Sequence, residues 1–199
     1  MTPPKPARTI VSRTDGSRDL LSYVKRNSKI SYDDDDDLIV QKIRAAIEYV
    51  ETVTNRVLFT TTYQLAFECF PSLLPLSPTP VASVVELAYT NVSDVQTVMV
   101  VDTDYRIEKR EGGFWSLVPV DAWPTDTALK RYDAVTVQFT AGTTRDLLPP
   151  AAVEAIALLA GHWYEHRETT LVGTISKQLE FSVSALCESL NLDNWITVN

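Results

Sequence analysis

The chain is poor in the residues from which chemical sites are usually built. It has two cysteines, two histidines and six scattered glycines among 199 residues. Cys69 and Cys187 lie far apart and match no metal-ligand spacing, so they read as small apolar core residues of a reduced, cytosolic chain. The glycines form neither a phosphate-binding loop nor a dinucleotide fingerprint, and no serine nucleophile elbow or Cys–His pair is present. No apolar run approaches the length needed to span a bilayer. The Pro-rich opening MTPPKPARTI does not read as a secretory leader. No internal repeat is visible. Nothing here argues positively for an enzyme, and no cofactor is expected.

Other properties are better supplied. At 45 % hydrophobic residues the chain can bury a real core, and its length suits one domain, or one with an embedded subdomain. The net charge of −8 argues against a protein that wraps nucleic acid, because neutralising phosphates takes clustered Lys and Arg. That charge is unevenly spread. Residues 1–26 carry Lys5, Arg8, Arg13, Arg18, Lys25 and Arg26 against Asp15 and Asp19, a balance of +4, which leaves −12 for the rest. A basic arm on an acidic body suits an acidic neighbour, another copy of the body included; a solvated tail that happens to be basic is the plainer reading.

Periodicity gives the layout. Residues 1–16 lack it and read as a flexible basic arm. Ser17–Arg26 has Leu20, Leu21 and Val24 on one side, as a short helix would. From about Asp36 to Arg56, Leu38, Ile39, Ile43, Ala46, Ile47, Val50 and Val53 recur at three- and four-residue steps, and the stripe continues to Val57. That predicts one helix roughly 30 Å long. The period then falls to two: Tyr63, Leu65, Phe67 and Cys69 alternate with more polar residues, as in a half-buried strand. Pro71, Pro75, Pro78 and Pro80 mark a loop. Short strands follow in VASVVELAYT, QTVMVVD, DYRIEKREGGFWSLVP and DAVTVQFTAG, too closely spaced for helical crossovers. Helix returns after Pro149–Pro150, over-apolar enough to be covered by neighbours, and again in LEFSVSALCESL. The expected fold is α+β but mainly α: a helical bundle from 17–57 and 149–190, an antiparallel meander or small barrel inserted at 58–142, and a C-terminal tail at 191–199. The arm and the tail are expected to order only on assembly.

Two strings invite a chemical reading. HWYEH, from His162 to His166, fits the inverted zinc-protease pattern: two histidines four apart share a helix face, and Glu165 could activate water. A further acidic ligand is needed, and little chain follows. The alternatives are an adventitious metal site or plain packing, with Trp163 and Tyr164 supplying contact area and Arg167 the wet end. The run Asp33–Asp37 lacks the glycine and terminal glutamate of a calcium loop. A helix start accounts for it better: one aspartate, Asp36 or a neighbour, caps free N–H groups, and the others favour the positive end of the helix dipole. The surplus charge is either solvated or a patch that meets a basic partner.

In sequence order these features resemble the head–tail connector (adaptor) proteins of tailed phages. An acidic start leads into LIVQKIRAAIEYVETVTNRVLF, which ends in the Thr–(Gly/Asn)–Arg–x–Leu element as Thr54, Asn55, Arg56 and Leu58. FPSLLPLSPTPVASVVELAY, Trp123–Pro124, AVTVQFTAG and the His-Trp-Tyr helix end follow in register. The resemblance covers roughly residues 17–190. Asn55 stands where Gly is usual, and the basic arm has no counterpart. It implies a structural, non-enzymatic virion protein, made in the bacterial host cytoplasm. Copies would form a ring, typically of twelve, between the portal protein and the next neck or stopper protein, and DNA would pass without sequence-specific binding. Another neck or tail-completion protein is the nearest alternative, and a small zinc hydrolase using His162, Glu165 and His166 a distant one. The expected contact residues are Asp33, Asp34, Asp35, Trp163, Tyr164 and Arg167, with no catalytic, cofactor or metal residues and no membrane partner.

Overall fold

The computed structural model describes residues 6–110, 114–128, 131–166 and 174–190, the stretch 174–180 by its backbone alone. The chain divides into two compact units. One comprises Met1–Thr14 and Thr60–Gly142, the other Asp15–Phe59 and Thr143–Asn199.

The first unit is all β. A five-stranded antiparallel sheet has the order β1 (Ala7–Arg13), β2 (Thr61–Phe67), β8 (Val135–Ala141), β4 (Val81–Thr90), β5 (Gln96–Met99). A three-stranded sheet runs β3 (Leu74–Leu76), β7 (Trp115–Pro119), β6 (Tyr105–Lys109). β8, last in sequence, is the spine of the larger sheet. It alternates buried and half-buried residues, so that Val135, Val137, Phe139 and Ala141 face the core. Its partner β2 is in unbroken register, Tyr63 opposite Phe139, and their rings stack at 5.7 Å.

The second unit is helical. α1 (Ser17–Asn27), α2 (Asp36–Thr54), α3 (Pro150–Glu165) and α4 (Thr174–Leu190) share one core. α2 buries Ile39, Val40, Ile43, Ala46, Ile47 and Val50, and each fully buried aliphatic side chain contributes about 1.5–3 kcal/mol. α3 answers with small residues, Ala152, Ala155, Ala157, Ala160 and Gly161, around Ile156 and Leu159. α2 ends where Asn55 adopts the left-handed conformation, φ 50°, which Asn tolerates better than most residues. Beyond it Arg56 Nη1 donates to the Leu190 carbonyl at 3.1 Å, and Glu51 Oε1 accepts from the Leu58 N–H at 2.8 Å. The Thr54–Leu58 element is thus a stop for α2 and a clasp onto the end of α4.

Four expectations change. The fold is not a mainly helical bundle: helix and strand account for 36 % and 33 %, with four helices against eight strands in two antiparallel sheets among the described residues. Nor is the β portion a meander, since β8 inserts between β2 and β4. Residues 7–13, expected in a flexible arm, are β1, paired with β2 from Ala7↔Ala66 to Arg13↔Thr61. Every residue of β1 is exposed, so it left no burial periodicity to read; backbone pairing alone makes it a strand. The Pro-marked loop likewise contains β3, where Pro75 sits in an edge strand and its missing N–H costs no ladder bond. The expected tail at 191–199 and the Glu111–Gly113 turn lie outside the described residues.

Candidate assembly surface

The aspartates at the start of α2 bond to the helices beside it, α1 and α3, rather than converging on one point. Lys25 of α1 reaches across with Nζ 2.5 Å from Asp33 Oδ1 and 2.6 Å from Asp36 Oδ1. Arg18, two turns earlier on α1, donates to Asp37 at 3.1 Å. Asp35 turns the other way and accepts from the Tyr164 hydroxyl of α3 at 2.5 Å. Tyr32 and Tyr164 then share a hydroxyl–hydroxyl bond of 2.7 Å.

These contacts replace the expected cap. Asp35 is the N-cap residue of α2, and its side chain makes no capping bond. The first-turn carboxylates Asp36 and Asp37 still sit at the positive end of the helix dipole. The bond to carboxylate, then that to Tyr32, raises the Tyr164 pKa above the usual phenol value. The two carboxylates beside Lys25, Asp33 before Asp36, likewise hold its ammonium above the usual lysine range.

Burial separates the expected contact residues. Asp33 is 88 % exposed at its side chain despite the bond to Lys25, and Asp34 is exposed too. Asp35 is half-buried and Tyr164 buried, its ring part of the helical core. Trp163 is half-buried and meets Tyr49 of α2 edge-on, centroids 6.3 Å apart. Arg167 lies outside the described residues. The structure therefore brings Asp35 and Tyr164 together and leaves Asp33 and Asp34 facing solvent.

The histidine pair is close, with ring centroids 4.5 Å apart at 86°. Burial, then the charge of His166, lowers the His162 pKa, against an upward pull from Glu165. Among the described residues no group of three His, Cys, Asp or Glu side chains could hold a metal ion. Cys69 is exposed and Cys187 buried, both as free thiols, so only Cys187 is the core residue expected of each.

Sequence reasoning missed Asp15. Its carboxylate accepts from the Ser17 N–H at 3.0 Å, opening α1, and from Arg44 Nε of α2 at 3.0 Å. The hydrogen bond from Arg44, and next that from Ser17, hold its pKa at about 2. The signal was present: an Asp two residues before the helix, with Arg44 on the polar face of α2.

Residues 18–98 match the sequence pattern of a family described as Phage gp6-like head-tail connector protein. The connector resemblance is thereby shown over that stretch, which holds the aspartate run, α2 and the Thr54–Leu58 element. No curated protein sequence matches the chain. Solved structures are similar across almost its whole length. A chain in the neck of an empty GTA particle, computed with C6 symmetry, superposes with a TM-score of 0.74 at 22 % identity, over 93 % of this chain and 95 % of that one. One in the neck of a native GTA particle, computed with C12 symmetry, has a TM-score of 0.71 at 22 % identity, over 93 % and 94 %. A third, from the virion of a native gene transfer agent (GTA) particle, has a TM-score of 0.70 at 20 % identity, over 92 % and 94 %. At these identities the likeness establishes a common fold.

Proposed function

We propose that this chain is a head–tail connector: a structural component of the neck of a tailed-phage-like particle, assembled as a homo-oligomeric ring between portal and tail. The observation that carries this reading is the agreement of two independent likenesses. The connector pattern occupies residues 18–98, and the fold of the whole chain follows that of neck chains over 93 % of its length. Those neighbours come from necks computed with C6 and C12 symmetry, which supports a cyclic assembly here.

The chemistry is consistent with a passive role. A net charge of −8 suits a ring through which DNA must slide, because a lumen lined with cations would grip phosphates. The role is one of shape and contact without a catalytic step. Asp33 and Asp34, exposed on the helical unit, serve as contacts to a basic neighbour, with Trp163 at the margin; Tyr164 acts by holding Asp35 in place. The ring docks on the portal protein on one side and on the next neck protein on the other.

Gel filtration with light scattering, on the full chain alone and mixed with its portal protein, tests the reading. It predicts a discrete ring, or a concentration-dependent shift from monomer to ring. A monomer at every concentration with the portal present contradicts it.

A further inference from the structure

The outer surface of the helical unit carries a large aromatic side chain in water. Phe181 of α4 is 76 % exposed, more than any other large apolar side chain among the described residues. α4 turns Val183, Cys187 and Leu190 into the helical core. Phe181 and Ala185, two residues to either side of Val183, stand about half a turn away from it and face out. A phenyl ring left there forgoes the burial that drives association.

A second exposed apolar patch lies on α2. Tyr49 and Val53, four residues apart, share one flank and are 43 % and 45 % exposed. Tyr49 meets the half-buried Trp163 of α3 edge-on, so the flank offers two aromatic rings side by side. Tyr and Trp are the residues that interfaces favour.

The helix directions decide how two such faces can meet. Tyr164, near the end of α3, bonds to Asp35 at the start of α2, so these two helices run in opposite directions. α4 starts after α3 ends, and its own end meets the end of α2 through the bond from Arg56 to the Leu190 carbonyl. α2 and α4 therefore run the same way. Successive copies in a many-membered ring differ by a small rotation about its axis, so α4 of one copy and α2 of the next also run the same way. Laid side by side in that sense, they bring like ends together. Glu188 lies in the last turn of α4, about 10 Å beyond Phe181. Arg56 lies just past the end of α2, a similar distance beyond Tyr49. Ring thus meets ring at one end of the contact and carboxylate meets guanidinium at the other. One bond to Leu190 leaves Arg56 with further N–H donors.

We propose that the outer face of α4 in one copy packs against the Tyr49–Val53 flank of α2 in the next, with Phe181 on Tyr49 and Ala185 beside Val53. The occupant of each face is a second copy of this chain. The two faces differ, so the contact is heterologous and continues from subunit to subunit until the ring closes. The inference rests on the ring reading above and names its contact.

The test is cross-linking in the full chain. Ala185→Cys and Val53→Cys are made in separate chains, each also carrying Cys69→Ser. The two are mixed under conditions where light scattering reports assembly, and a short bis-maleimide is added. A linked dimer is expected from the mixture and from neither variant alone. One chain carrying both cysteines is expected to give a ladder past the dimer. Phe181→Glu is expected to raise the concentration needed for assembly at least about tenfold. It should keep the circular dichroism and melting temperature of the parent, because the side chain it replaces is exposed. A ring that forms with no cross-link in the mixture, or whose assembly Phe181→Glu leaves unchanged, overturns this contact and leaves the connector reading standing. A single variant that links to its own kind or to a different neck protein also overturns it, as does a Phe181→Glu chain that unfolds. No ring from the unmodified chain, with its portal present, removes the connector reading itself.

Discussion

Lys25 resolves most of the aspartate run. A stretch of adjacent carboxylates repels itself unless cations or donors intervene, and here two helices supply them: α1 through Lys25 and Arg18, α3 through Tyr164. The sequence showed a cluster of like charges, and the rule of thumb for such clusters at a helix start is capping. What it could not show was α1 folding back alongside, because no local pattern relates Lys25 to Asp33. Asp15 illustrates the same gap and yields a prediction. Its folded pKa of about 2 lies below the ordinary 3.8. Its contribution is therefore present above pH 4 and lost as the pH falls through 3.8 toward 2. Arg44 and Asp15 are each nearly half exposed, so solvent screening keeps this below about 1 kcal/mol. Urea unfolding between pH 5 and 2 should show Asp15→Asn losing stability at pH 5 and converging with the parent near pH 2. A constant difference across that range would mean that Asp15 matters for something other than its charge.

At the scale of elements, legibility followed periodicity. α2 is legible in its start at Asp36 and in five buried residues, Ile39, Ile43, Ala46, Ile47 and Val50, while Val40 and Thr54 are buried off the expected stripe and Val53, on it, is exposed. β2 and β8 were read because their alternation matches a half-buried strand. β1 was not, since a fully exposed strand has no face to mark. α3 was placed, but its buried face includes Tyr164 while Trp163 is only half-buried; where nearly every position is apolar, the stripe cannot be phased from sequence. The junction before α1 offers a sharp check. Gly16 is buried against Phe59, and a Cβ there would lie 1.8 Å from the ring. Phe59 is itself only 2 % exposed and has no room to yield. Gly16→Ala should therefore cost about 1–3 kcal/mol, the usual penalty of overpacking, seen as a lower urea midpoint with an unchanged slope. An unchanged midpoint would show that the α1 junction moves freely.

For the whole molecule, the proportion of sheet to helix was misjudged because strands of three to five residues, such as β3, β5 and β7, contribute little signal each. The order of the larger sheet was out of reach for a different reason. Placing β8 between β2 and β4 is a pairing across about 70 residues, and nothing local encodes it. The connector resemblance was more legible than the fold: its acidic start, α2 and the Thr54–Leu58 element lie within residues 18–98, which match the family pattern, and the structure gives several of them a mechanical purpose. The element Thr54–Leu58 ends α2 and clasps α4; the aspartates tie α1 and α3 to the start of α2. A connector needs such a braced helical unit to keep its contact residues in place while neighbours load it. The most direct test of the central claim is imaging of assembled particles that contain this chain, with the density of the neck resolved. The account predicts copies of this fold in a closed ring beneath the portal, around the DNA channel. Finding the chain elsewhere in the particle, or in the neck as a single copy, would contradict it.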